Sequence, residues 1–220
     1  GTKGGQICLC IPGETNQFNA YIFTIAGGLV QISSSNFDGP VNGLIFVDGY
    51  FLFTKQDGNL FFISNLRDGL TYTATDTSDA EVDTDSIEAP FNLKGEVVIL
   101  GTQTFEPFQN VGGSGFPFVR VEGGVQLKGT VSPFSVEELN GDMVWLGSGE
   151  NEQPAIWRSG GGVPVKISTD AIDNELRKYS DTNIENAYAV KYGESGAAFI
   201  AFTVPNEVTF VYDEYSKEWH

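Results

Sequence analysis

Four segments of this 220-residue chain repeat one local pattern, a glycine followed by an extended apolar run. They read Gly49-Tyr-Phe-Leu-Phe-Thr, Gly95-Glu-Val-Val-Ile-Leu-Gly, Gly141-Asp-Met-Val-Trp-Leu-Gly and Gly196-Ala-Ala-Phe-Ile-Ala-Phe, with the glycines 46, 46 and 55 residues apart. Such a period fits four-stranded blades and exceeds that of leucine-rich, ankyrin or tetratricopeptide repeats. The pattern predicts an all-β fold, a β-propeller of antiparallel meander blades, closed or truncated. One domain over residues 1–220 is expected, with blade-like units near 19–40, 44–90, 95–137, 141–185 and 188–219.

Composition points the same way. With 27 Gly, 17 Phe, 8 Tyr and a single Met, the chain suits short strands joined by tight turns better than helices. Its 40% hydrophobic content can build a sizeable core, and no apolar stretch approaches the roughly 18 residues of a membrane span. No membrane partner is expected. Twelve basic residues against 29 acidic ones leave a net charge of −17, which repels phosphate backbones and argues against both non-specific and sequence-specific nucleic-acid binding. The chain opens Gly1-Thr2 in place of Met, without a signal peptide, and reads as a processed or partial sequence.

Alternating runs and turn residues outline a series of hairpins. Asn19 to Ile25 and Leu29 to Ser33 flank Ala26-Gly27-Gly28, while Leu44 to Val47, Tyr50 to Thr54 and Leu60 to Ile63 alternate with Asp48-Gly49 and Gln56-Asp57-Gly58-Asn59. Asp76 to Ser86 reads as an acidic loop. Further strands are expected at Val97 to Leu100, Thr104 to Gln109, Val125 to Leu127, Val144 to Leu146, Ala155 to Arg158, Val163 to Ile167, Tyr188 to Tyr192, Ala197 to Thr203 and Val208 to Tyr212. The one good helix candidate is Thr169 to Tyr179, capped by Ser168 or Thr169, with Ile172 and Leu176 spaced i, i+4. Trp145 and Phe199, inside apolar runs, are expected to be buried.

The search for chemistry excludes more than it finds. Histidine-dependent hydrolysis has only His220 available. Gly112-Gly113-Ser114-Gly115 and Gly160-Gly161-Gly162 lack the strand-to-helix context of a phosphate cradle and read as turns. Asp76, Asp79, Glu81, Asp83 and Asp85 lack the spacing of a calcium loop and read as solvated. Cys8 and Cys10 would share one face of a strand, too far apart to bridge, and read as reduced core residues. The sequence therefore predicts no enzyme, no cofactor and no metal site. Ser64-Asn-Leu-Arg-Asp68-Gly69-Leu-Thr71-Tyr72 partly matches the Asp-box turn of sialidase-like propellers, though the arginine cluster of that chemistry is not visible.

A candidate contact element remains in Gln109, Asn110, Phe116, Phe118 and Arg120. Its glycines permit a loop that leaves the sheet, and Phe116-Pro117-Phe118 offers two rings on a stiffened backbone. Two readings stand open. The rings either meet a partner or fold back and cap their own blade.

Val47-Asp-Gly-Tyr-Phe-Leu-Phe-Thr, Phe62-Ile-Ser-Asn-Leu-Arg-Asp-Gly-Leu-Thr-Tyr, Thr104-Phe-Glu-Pro-Phe-Gln-Asn through Phe116-Pro-Phe-Val-Arg-Val, Val144-Trp-Leu-Gly, Lys166-Ile-Ser-Thr-Asp-Ala-Ile and the final Thr209-Phe-Val-Tyr-Asp-Glu-Tyr-Ser-Lys-Glu-Trp-His carry a family resemblance over roughly residues 40 to 220. The chain resembles the packaged DNA stabilisation proteins, or tail accessory factors, of short-tailed lambdoid phages, as a fragment of that longer family. The resemblance implies a structural protein of the virion tail, assembled in the host cytoplasm. It implies a homo-oligomeric, hexameric ring that docks below the portal, extends the DNA channel and holds the tail needle, so that packaged DNA is retained. Implied partners are the portal-proximal adaptor, the tail needle and the tailspike. The alternative is a carbohydrate-binding or glycan-processing propeller.

Overall fold

The computed structural model describes residues 5–80, 85–113 and 115–220. Among the described residues, five antiparallel sheets follow one another along the chain. The first contains β1 (Gln6–Cys10), β2 (Ala20–Thr24) and β3 (Gly28–Gln31). The second runs through β4 (Val41–Val47), β5 (Tyr50–Lys55), β6 (Leu60–Ile63) and β7 (Thr77–Asp79). The third has β8 (Ile87–Leu93), β9 (Glu96–Gly101), β10 (Phe105–Asn110) and β11 (Phe118–Arg120). In the fourth, β12 (Gly129–Thr130) and β13 (Glu137–Leu139) both pair with β14 (Asp142–Ser148), which leads to β15 (Ala155–Ser159) and β16 (Val165–Lys166). The fifth is β17 (Tyr188–Glu194), β18 (Ala197–Val204), β19 (Val208–Asp213) and β20 (Glu218–Trp219).

The repeated glycines now have a physical explanation. Each sits at the second central position of a two-residue turn whose two residues both have positive φ: Asp48 at 50° and Gly49 at 91°, Lys94 at 55° and Gly95 at 96°, Asn140 at 51° and Gly141 at 85°, Ser195 at 52° and Gly196 at 84°. This is the I′ geometry, whose twist matches that of the strands it joins. In consequence every glycine-led run becomes the strand β5, β9, β14 or β18, flanked on both sides within its sheet.

The chain forms two compact units, one of residues 1–99 and 106–121, the other of 100–105 and 122–220. In the first unit, Phe37 is fully buried and meets Phe53, Phe62 and Tyr72 edge-on at centroid distances of 5.3, 5.2 and 5.2 Å, the arrangement that ring quadrupoles favour. Ile22, Val41 and Phe51 complete that cluster, with Cys8 and Cys10 against it. Both cysteines are free. A buried amide, Asn19, staples the entry to β4: its Nδ2 donates to Val41 O at 2.7 Å and its Oδ1 accepts from Val41 N at 3.0 Å. A second cluster gathers Val47, Leu52, Phe61, Ile63, Val97, Ile99, Phe108 and Phe118.

In the second unit, Val144, Leu146 and Ile156 pack with Ile172, Leu176, Ile200, Phe202 and Tyr212. Trp145 lies on the other face of β14, fully buried, with its ring perpendicular to Phe105 at 5.7 Å and its Nε1 donating to Gly129 O at 2.9 Å.

Several expectations are corrected. The first sheet begins at Gln6, ahead of the unit expected from residue 19. The acidic loop contains a strand, since β6 recruits Thr77, Ser78 and Asp79 as edge partners; Glu81 and Asp83 lie outside the described residues, as does Ser114. Val125 to Leu127 is reduced to one bridge between Gln126 and Phe105. Only Val165–Lys166 of the expected 163–167 strand pairs. The helix α1 spans Asp170–Leu176 and is capped by Thr169, whose side chain accepts from Ile172 N. A further helix follows, α2 (Asp181–Glu185), capped by Ser180. Phe199 is half-buried, because β18 alternates: Ile200 and Phe202 enter the core while Phe199 stacks on Tyr192 of the opposite face, 5.2 Å away.

Candidate partner-contact site

The candidate contact residues lie on β10, β11 and the loop between them, all within the first unit. Phe108 pairs with Arg120, Gln109 with Val119 and Asn110 with Phe118, and Val111 N donates to Pro117 O at 2.9 Å, so the ladder continues into the loop mouth. Gly112, Gly113 and Gly115 then adopt φ of 68°, 104° and 97°, values that side chains rarely tolerate. Asn110 organises this turn. Its Oδ1 accepts from Gly112 N at 2.9 Å while its Nδ2 donates to Asp48 Oδ2 at 2.8 Å, tying the loop to the β4–β5 turn.

Both rings fold back. Phe118 is 2% exposed and meets Tyr50 and Phe116 edge-on, and Phe116 is half-buried against Phe61 at 5.6 Å. Arg120 is likewise engaged at home, its Nε donating to the buried carboxylate of Glu106 at 2.7 Å, its NH2 to Asp79 O at 3.2 Å, with the guanidinium 5.6 Å from the Phe108 centroid. Solvent meets Gln109, Asn110, Val111 and Val119 instead. The two valines were not singled out in the sequence, although the strand period places Val119 opposite the buried face of Phe118.

The partial Asp-box is a closed corner of the fold. Phe51 N donates to Ser64 Oγ at 3.1 Å, Asn65 N to Thr71 O at 2.8 Å, Thr71 Oγ1 to Asp68 Oδ2 at 3.0 Å and the Tyr72 hydroxyl to Gly69 O at 2.7 Å. A Cβ on Gly69 would fall 2.4 Å from Ile22 Cδ1 and 2.9 Å from the Phe51 ring. The glycine is there for close approach.

A charge cluster unforeseen from sequence occupies the second unit. Arg158 bonds Asp142 Oδ2 at 2.8 Å and both oxygens of Glu214, which also receives Lys217 Nζ at 2.6 Å and Asn140 Nδ2 at 3.2 Å. Burial pushes the Glu214 carboxyl up, but the hydrogen bonds from Arg158 and Lys217 outweigh it and hold the group below the usual carboxylate range. The hydrogen bonds to Glu214 and Asp142 raise Arg158 against its own burial. Nearby polar residues Lys166 and Asp173 line, with Trp157, Glu152 and Arg177, an open cleft of about 270 Å³. Among the described residues no group of three or more His, Cys, Asp or Glu is arranged to hold a metal ion, and no helix is long and apolar enough to cross a membrane.

Successive antiparallel meanders, four of the five containing an I′ hairpin, define an all-β protein of the β-propeller class. The chain belongs to the phage stabilisation family described as Bacteriophage P22 Gp10, beta-propeller, whose family model matches residues 11–220. It is thus a phage structural protein. Similar solved structures include the N-terminal domain of Nup159 (13% identity, TM-score 0.48, 93% of this chain and 59% of that one). Hsv2 of Kluyveromyces lactis is similar as well (15%, 0.42, 91% and 58%), as is an exported protein of Bacteroides fragilis (12%, 0.42, 91% and 64%). The chain spans about three fifths of the length of these structures. No curated protein is a significant match.

Proposed function

We propose that the chain is a structural adaptor of the virion tail, one that docks below the portal, extends the DNA channel and holds the needle so that packaged DNA is retained. The observation that carries this reading is the family match over residues 11–220. Its net charge of −17 supports it, since a wall past which DNA slides should not grip phosphates. The partners in this reading are the portal-proximal adaptor, the needle and the tailspike, and the assembly is a hexameric ring. The work is mechanical, without turnover.

The contact surface in this reading is the solvent side of the β10–β11 loop, Gln109, Asn110, Val111 and Val119, while Phe116, Phe118 and Arg120 stiffen it from behind. Attachment of full-length protein to portal-filled heads tests this. Val111→Glu with Val119→Glu is expected to abolish attachment and leave the melting of the chain unchanged. Normal attachment of that double variant removes this surface from the proposal, and failure of the unaltered protein to attach removes the adaptor role. Turnover of sialosides, aryl glycosides or esters, lost on a single substitution, would establish the glycan-processing alternative instead.

A further inference from the structure

Among the described residues the first sheet has three strands, where the others have four or five. In each of those the third strand pairs with a fourth, β7, β11, β16 or β20, whereas β3 is an edge. Ile32 N donates to Ala20 O at 2.9 Å. With Tyr21 opposite Gln31, Ile22 opposite Val30 and Phe23 opposite Leu29, the antiparallel alternation makes Val30 and Gly28 the residues that exchange bonds with β2. The backbone N–H and C=O of Leu29 and Gln31 therefore point out along the free edge.

Natural sheets blunt such edges with charges, prolines or bulges. Gly28-Leu29-Val30-Gln31 has none of these, and Leu29 and Val30 are 58% and 41% exposed. An apolar row also ends there: Ile7, Phe23 and Leu29 lie side by side across the three strands, all exposed.

We propose that β3 accepts a fourth strand by β-augmentation, donated by a partner polypeptide whose extended segment carries two successive apolar residues flanked by Lys or Arg. One apolar residue, beside Leu29, continues the exposed row; the next, beside Val30, lies on the core side of the sheet. The basic flanks follow from charge. A chain of net charge −17 attracts a cationic strand and repels a second copy of itself. Two of the four strands that fill this position elsewhere join apolar to basic residues, Phe118-Val119-Arg120 in β11 and Val165-Lys166 in β16, while Thr77-Ser78-Asp79 in β7 and Glu218-Trp219 in β20 do not.

Amide hydrogen exchange tests the proposal on the chain alone and with a millimolar synthetic peptide, acetyl-Lys-Thr-Phe-Val-Arg-Thr-Lys-amide. The amides of Leu29 and Gln31 are expected to exchange fast in the free chain and to slow by about tenfold or more with the peptide. A peptide N-methylated at alternate residues, which cannot donate to the edge, leaves both amides fast. The proposal is overturned if either amide is already slow in the free chain, as pairing with a second copy would make it, or if the peptide gives no protection, or if the methylated peptide protects equally.

Discussion

Arg158 grips Glu214 with two parallel hydrogen bonds, NH1 to Oε2 at 2.8 Å and NH2 to Oε1 at 3.1 Å, across 56 residues of sequence. The pair links β15 to the segment that follows β19, and the Glu214 side chain is only 8% exposed. A bidentate, largely desolvated pair of this kind resists removal of either partner, because the other is left as an uncompensated buried charge. Glu214→Gln is expected to destabilise the second unit by about 3 kcal/mol at neutral pH.

The sign of its pH dependence follows from the depressed carboxyl. A group whose folded pKa lies below its unfolded value, about 4.3 for glutamate, stabilises above that value and loses the contribution as pH falls through the folded one. Urea midpoints of the native chain and Glu214→Gln should therefore differ most near neutrality and converge in acid. A constant difference down to strongly acidic pH would contradict the pair's titration.

Cys8 is displaced in the other direction, pushed up to about 12 by burial and by the neighbouring Cys10, and Cys10 is raised by its own burial. The thiol form is held in the fold, so the associated stability is complete below the unfolded thiol pKa of about 8.5 and fades as pH rises toward the folded value. Both thiols should react slowly with a disulfide reagent at mildly alkaline pH and at the rate of free cysteine in urea. Equal rates in the two conditions would contradict the burial.

Two glycine substitutions separate backbone strain from close packing. A Cβ on Gly95 meets nothing within 4 Å, so Gly95→Ala isolates the positive φ of 96° and should cost about 1–2 kcal/mol. Gly69→Ala drives a methyl into Ile22 and Phe51 and should cost more. Denaturant melts that rank them the other way would refute the assignment.

Trp145→Ala should remove about 3–5 kcal/mol, as a large-to-small change at a fully buried ring that also loses its bond to Gly129. Phe118→Ser should be comparably severe, while Val119→Ser on the exposed side of the same strand should stay within about 0.5 kcal/mol. Near-neutral behaviour of Phe118→Ser would return that ring to the partner surface.

What the sequence determined on its own was local. Asp48-Gly49 and Asn140-Gly141 declare positive-φ turns, and the apolar runs after them alternate or fill as strands must. Thr169 ahead of Ile172 and Leu176 marks a capped helix, because these preferences act over a few bonds. The family resemblance rested on the same contiguous stretches. Only tertiary packing decided which way an ambiguous run would face. Ala197 to Phe202 is apolar on both faces, yet one neighbour covers Ile200 and Phe202 while Phe199 is left to stack on Tyr192. Phe116-Pro117-Phe118 could point outward or inward, and Tyr50 and Phe61, contributed by two other strands, drew the rings in. Arg158 found Glu214 from a distance at which no sequence period operates, and the open edge of β3 exists only by comparison with four sheets that have a further strand. Burial and pairing depend on what the rest of the chain brings alongside, and residue order near the site does not carry that information.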